Sequence, residues 1–94
     1  MGLPIFATET GVCDSHGNGT VNVNVSQAWW SLLDTNKISY MEFGLADYYN
    51  NCVSLLKYPT PPEQAGNSSD FTDSGVFVNK KLWSTDQNIV CTAG

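Results

Sequence analysis

Arginine is absent from this chain, histidine occurs once, and charged side chains of every kind make up 14% of its 94 residues, against roughly a quarter in an ordinary soluble domain. The cations are Lys37, Lys57, Lys80 and Lys81, and with nine acids the net charge is −5. That balance excludes nucleic acid as a partner, because affinity for a phosphate backbone comes from cationic side chains that displace condensed counterions. Long apolar runs are missing too: none approaches the ~20 residues of a membrane span, so no membrane partner is expected. The opening Met-Gly-Leu-Pro-Ile-Phe has neither the apolar core nor the basic head of a signal peptide, and Phe6 stands where a myristoylation signal needs Ser or Thr. Reactive groups are equally scarce. The single histidine, His16, lies in a Gly-rich turn with Cys13 as the nearby thiol, and nothing marks the nucleophile, base and orienting group that covalent catalysis requires. The acids are scattered, without a sign of a catalytic carboxylate pair. A non-enzymatic protein is therefore expected.

What the chain does have is enough apolar material for one core. Hydrophobic residues reach 41% and aromatics 12%, which separates it from disordered sequences. At this size one modest core is possible and a second is not, so residues 1–94 read as a single domain. Cys13, Cys52 and Cys91 form an odd set, evenly spaced but without a surrounding repeat. In an oxidising compartment Cys13 and Cys91 are the candidates for a disulfide, since Cys52 falls on an apolar stripe; in a reducing one all three read as small buried hydrophobes. Asn18, Asn24 and Asn67 begin glycosylation sequons, about as many as an Asn-, Ser- and Thr-rich composition produces by chance.

Periodicity suggests an α+β fold with three or four short strands packed against one main helix. Leu3 to Thr8 is a short apolar strand. Thr20 to Val25 alternates valine with asparagine, the pattern of a half-buried strand. Ser26 caps a short helix over about 26–33. Ser39-Tyr-Met-Glu42 has the form of a capping box, and behind it Met41, Leu45, Tyr48, Cys52 and Leu55 recur at helical spacing, which predicts the main helix over about 40–57. Leu45 is then a core residue whose truncation to Ala costs about 2–5 kcal/mol, and Gly44 marks a close backbone approach. The prolines of Tyr58-Pro-Thr-Pro-Pro62 end this helix. A long polar loop over 63–75 follows, then strands at 76–83 and 88–91.

The segment Asp14-Ser-His-Gly-Asn-Gly-Thr-Val-Asn-Val-Asn-Val25 resembles a calcium loop of the EF-hand and dockerin kind. The resemblance implies Asp14, His16, Asn18 and the Thr20 carbonyl as ligands, with Gly19 at the sharp turn. Position twelve is Val25 where such loops carry an acid, and a strand pattern follows where a helix belongs. An ordinary turn before a strand is accordingly expected, with calcium as the one cofactor to test. A zinc set of Cys13, His16, Cys52 and Cys91 lacks a second close-spaced pair.

Surface recognition is what this leaves. Trp29 and Trp30 are adjacent and on a helix project about 100° apart, so one of them faces outward, and Trp83 joins them as a candidate interface residue. Exposed aromatics among uncharged polar residues suit a buried protein interface. The expected function is a non-enzymatic subunit of a larger assembly, such as a virion coat, decoration or surface protein, partnered by itself or its neighbours. Two alternatives stand beside it. One is a secreted module binding glycan or calcium; the other is a small acidic inhibitor occupying a basic surface. A virion or extracellular location follows from either of the first two.

Overall fold

A computed structural model describes residues 2–14, 16, 19–49, 51–85, 90 and 92. In chain order its elements are strand β1 (Phe6–Thr10), helix α1 (Val23–Thr35), strand β2 (Ser39–Glu42) and helix α2 (Asp73–Ser84), with short 3-10 turns at Pro62–Gln64 and Ser68–Asp70. The protein is a small mixed α+β structure, as the sequence suggests, but its two-stranded sheet is parallel. Parallel neighbours need a crossover, and α1 supplies it.

Helix α1 starts earlier than its apolar pattern implies. Asn22 is the cap, its side chain accepting from the Val25 amide at 3.2 Å, and the buried positions Ser26, Trp30 and Leu33 are spaced four and three apart. Valines 23 and 25 lie exposed on the helix, so the alternation at 20–25 forms no strand. The helix ends where Lys37 takes a positive φ of 55°. Amide bonds from Lys37 to the Asp34 carbonyl (3.1 Å) and from Ile38 to the Leu33 carbonyl (2.9 Å) close a Schellman motif with lysine in place of glycine.

The main helix expected over 40–57 does not form. Ser39–Glu42 pairs with β1 instead, and the Glu42 carboxylate, free of any cap duty, accepts from the Trp30 indole N–H at 2.6 Å. The peptide bond between Phe43 and Gly44 is cis, and residues 43–60 form a loop folded back on itself, the Gly44 amide reaching the Val53 carbonyl (3.0 Å) and the Leu56 amide the Ala46 carbonyl (3.1 Å). Of the proposed stripe, Met41, Leu45 and Tyr48 are exposed. Residues 76–83, expected as a strand, belong to α2, whose cap Thr72 accepts from the Gly75 amide at 3.0 Å. The close backbone approach also lies here. A Cβ on Gly75 would sit 2.1 Å from the Leu55 carbonyl oxygen, whereas one on Gly44 would meet nothing within 4 Å. The strand expected at 88–91 lies outside the described residues, apart from Val90.

The core is assembled between the helices and the sheet face they cover. Val12, Trp30 and Val78 are buried together, with Tyr40, Leu55 and Phe77 packed against them, and the Trp30 and Phe77 rings lie 4.9 Å apart. Leu33 is 1% exposed and Leu45 70%. Leu33→Ala is therefore expected to cost about 2–5 kcal/mol, transfer and cavity contributions adding, while Leu45→Ala changes stability by about 0.5 kcal/mol at most. Urea denaturation of the two variants checks the contrast.

Lys81 joins α2 to α1 through an ion pair with Asp34 at 2.5 Å. Burial would lower the lysine pKa, but the Asp34 bond and the nearby Tyr40 outweigh it and raise it above the ordinary 10.5. Burial raises the Tyr40 pKa as well. Both groups are thus protonated more readily in the folded state. Their stabilising contribution is complete below the ordinary lysine and tyrosine range and is lost as pH rises through the higher folded values. Thermal melts through the alkaline range should show this loss, with a smaller loss in Asp34→Asn.

The opposite sheet face has no cover among the described residues. Phe6, Met41 and Phe43 are exposed, as are Leu3 and Ile5 ahead of β1. Parallel sheets are normally buried on both faces, and a two-stranded sheet is marginal by itself.

Candidate functional site

Because β1 and β2 run parallel, their C-terminal ends lie side by side, and the loops that leave them share a rim. The register shows an irregularity at this rim. Ala7 pairs with Tyr40 and Thr10 with Glu42, so β1 carries one residue more than β2 over the same span. Such a bulge re-aims side chains and is common beside active sites. Thr10 lands on the Glu42 side of the sheet, its hydroxyl 2.8 Å from Glu42 Oε1, and its carbonyl accepts from the Phe43 amide at 2.7 Å.

Glu9 lies within the bulge and is exposed. It lines a cleft of about 300 Å³ together with Thr10, Phe43, Cys13, Asp14 and His16. Asp14 Oδ1 accepts from the His16 amide at 2.9 Å, which folds the loop after β1 over one side of the cleft. Glu42 belongs to another environment. Its Oε1 is held by Trp30 and Thr10, and its buried Oε2 has no hydrogen-bond donor among the described residues.

The structure joins part of the loop singled out in the sequence to this rim. Asp14 and His16 line the Glu9 cleft; Thr20 lines other depressions, and Asn18 lies outside the described residues. Among the described residues no three His, Cys, Asp or Glu side chains gather to hold a metal ion. The disulfide joins Cys13 to Cys52, not Cys13 to Cys91; Cys91 lies outside the described residues, and Cys52 was assigned to the core only because a helix was expected there. Both sulfurs are thereby removed from any zinc set. Trp30 is 4% exposed and packs in the core, while Trp29 on α1 and Trp83 on α2 are 40% and 69% exposed. One candidate residue is absent from the sequence expectations: Glu9, the penultimate residue of β1, which only the pairing of β1 with β2 sets at the rim.

Comparison with known proteins bears on the function class. Two of the relatives this chain matches are an endoglucanase and a cellulase. The chain is 33% identical over 81 residues to an endoglucanase of Clostridium saccharobutylicum, a match covering 86% of this chain and 18% of that protein. It is 29% identical over 86 residues to cellulase CelDZ1 of a Thermoanaerobacterium species, covering 86% of this chain and 22% of the relative. The chain thus spans far less than half the length of these relatives. No family model matches it. These similarities overturn the expected virion coat, decoration or surface subunit, which low charge and abundant aromatics had suggested. The extracellular placement stands, in keeping with such relatives and with a disulfide of the kind that oxidising compartments preserve. Among the described residues no helix is long and apolar enough to cross a membrane.

Proposed function

We propose that this chain is a β-α-β-α section of a cellulase-type catalytic fold, in which Glu9 is one of the two carboxylates that cleave the glycosidic bond. The observation that carries this reading is the placement of Glu9 at a register break at the C-terminal end of a parallel strand, lining a cleft with Phe43. Successive strand-helix units build barrels and doubly wound sheets, and in both architectures the chemistry sits at the C-terminal ends of the strands. The uncovered apolar sheet face is where further strands and side chains of such a fold would pack.

Glycoside hydrolysis uses two carboxyl groups on either side of the scissile bond. Glu42 is turned toward α1 by the Trp30 indole, and Asp14 is engaged with its own loop. The partner carboxylate in this reading comes from strands beyond β1 and β2. The 94 residues alone are accordingly expected to be non-catalytic. The test is an exchange: the matched 81 residues of the Clostridium saccharobutylicum endoglucanase are replaced by the corresponding residues of this chain. A folded exchanged enzyme that hydrolyses carboxymethylcellulose supports the reading. A folded but inactive one overturns it, as does hydrolysis by the isolated chain.

A further inference from the structure

A second cleft, of about 650 Å³, lies between the loop after β2 and the start of α2, within the size range of small-ligand sites. It is lined by Tyr48, Tyr49 and Tyr58 with Asn51, Lys57 and Asp73. These tyrosines are 55%, 73% and 61% exposed, an unusual outlay of aromatic surface for a chain with so small a core. The Tyr49 and Tyr58 rings meet edge to face, with centroids 5.5 Å apart and planes at 81°, and so form a corner with one flat wall and one edge.

The loop that carries this corner is held from beneath. Ser54, 1% exposed, accepts from the Tyr48 amide at 2.7 Å and donates to the Ala46 carbonyl at 2.6 Å. The Thr60 amide donates to Asp47 at 3.0 Å, fixing the chain just beyond Tyr58. A platform positioned in advance loses little conformational entropy when a ligand binds.

We infer that this cleft is a binding subsite for a β-linked glucan chain, adjoining the Glu9 cleft through the shared Asn51; the choice of glucan rests on the proposed cellulase-type function. Three features select the ligand class. Flat apolar walls suit the C–H face of a pyranose, while phenol hydroxyls and Asn51 meet its hydroxyl rim, the combination of apolar body and polar tip that makes tyrosine a recognition residue. The lining carries one cation and one acid, Lys57 and Asp73, whose charges offset each other, so the cleft presents no net positive charge to an anionic polymer. An open cleft, unlike a closed pocket, accepts a segment within a longer chain.

Affinity electrophoresis of the full chain in native gels containing hydroxyethyl cellulose tests this. The chain should be retarded, and the double variant Tyr49→Ala, Tyr58→Ala should bind at least tenfold more weakly. Tyr49→Phe with Tyr58→Phe keeps both rings and should retain most of the retardation. Trp83→Ala, an equally exposed aromatic elsewhere, should run like the parent. In the unaltered chain, cellotetraose should shift the NMR ring signals of Tyr49 and Tyr58 and leave those of Trp83 in place, a readout that does not depend on the variants folding. Absence of retardation, unaltered retardation of the alanine pair, or unmoved tyrosine signals overturns the subsite. Retardation here alongside an inactive exchanged endoglucanase removes the Glu9 assignment alone, and the opposite outcome removes this subsite alone.

Discussion

In the exchanged endoglucanase, Glu9→Gln lowers hydrolysis of carboxymethylcellulose by about 10²–10⁴-fold, the usual contribution of a positioned acid-base group, and leaves stability within about 0.5 kcal/mol of the parent. The two halves of this expectation have one origin. Glu9 is exposed and supports no packing, so its removal costs the fold little. Its place at the bulge, beside Phe43 on the cleft, gives it no structural task that would explain a large kinetic loss by another route. Asp14→Asn offers the comparison. That side chain accepts from the His16 amide, a bond the asparagine oxygen can reproduce, so activity should fall far less. Initial rates at saturating and limiting substrate, with far-ultraviolet circular dichroism on each variant, check both expectations.

Reduction of the Cys13–Cys52 bond is expected to have the largest effect on stability. The bridge spans 39 residues of sequence and encloses α1 and β2, and constraining a loop of that size in the unfolded chain is worth about 4 kcal/mol. A domain of this size is stable by only about 5–10 kcal/mol, so the reduced protein should unfold at much lower urea. Cys13 also lines the Glu9 cleft, and Ser74 on α2 lies 3.6 Å from its sulfur and 3.4 Å from that of Cys52. The bond therefore ties the loops beyond both strands to the helix that follows. Urea titrations with and without dithiothreitol, alongside Cys13→Ala with Cys52→Ala, measure the contribution; a change below about 1 kcal/mol would show that the loop is held by other contacts.

The sequence revealed composition better than it revealed caps or partners. Low charge was legible, as were a first strand, expected over 3–8 and found at Phe6–Thr10, and a helix around 26–33, part of Val23–Thr35, where Ser26, Trp30 and Leu33 repeat at helical spacing on one buried face. Thr20 to Val25 misled because alternation counts only where a sheet is present to bury one face. Here Asn22 caps a helix instead, and the valines after it lie on its exposed side. Ser39 to Glu42 misled in the other direction: a capping-box pattern became a strand because β1 offered it a parallel partner, 32 or 33 residues distant in the chain. Everything assigned to residues 40–57 followed that error, including Leu45 in the core and Cys52 as unavailable for a bridge. The candidate site was hidden for a related reason. Glu9 is one acid among nine in the sequence, and only the pairing of β1 with β2 distinguishes it, by placing it at a strand end and inside a bulge.

The most direct test of a catalytic carboxylate at this position is to trap it. A cello-oligosaccharide bearing an epoxide at its reducing end delivers an electrophile to carboxylates in the cleft, where attack opens the ring and leaves a stable ester on the attacking side chain. Peptide mapping of the folded exchanged endoglucanase after such treatment should place the ester on Glu9, in step with loss of activity, and soluble cello-oligosaccharide should protect against both. Complete inactivation with Glu9 unmodified, the label residing on other carboxylates alone, would contradict the account.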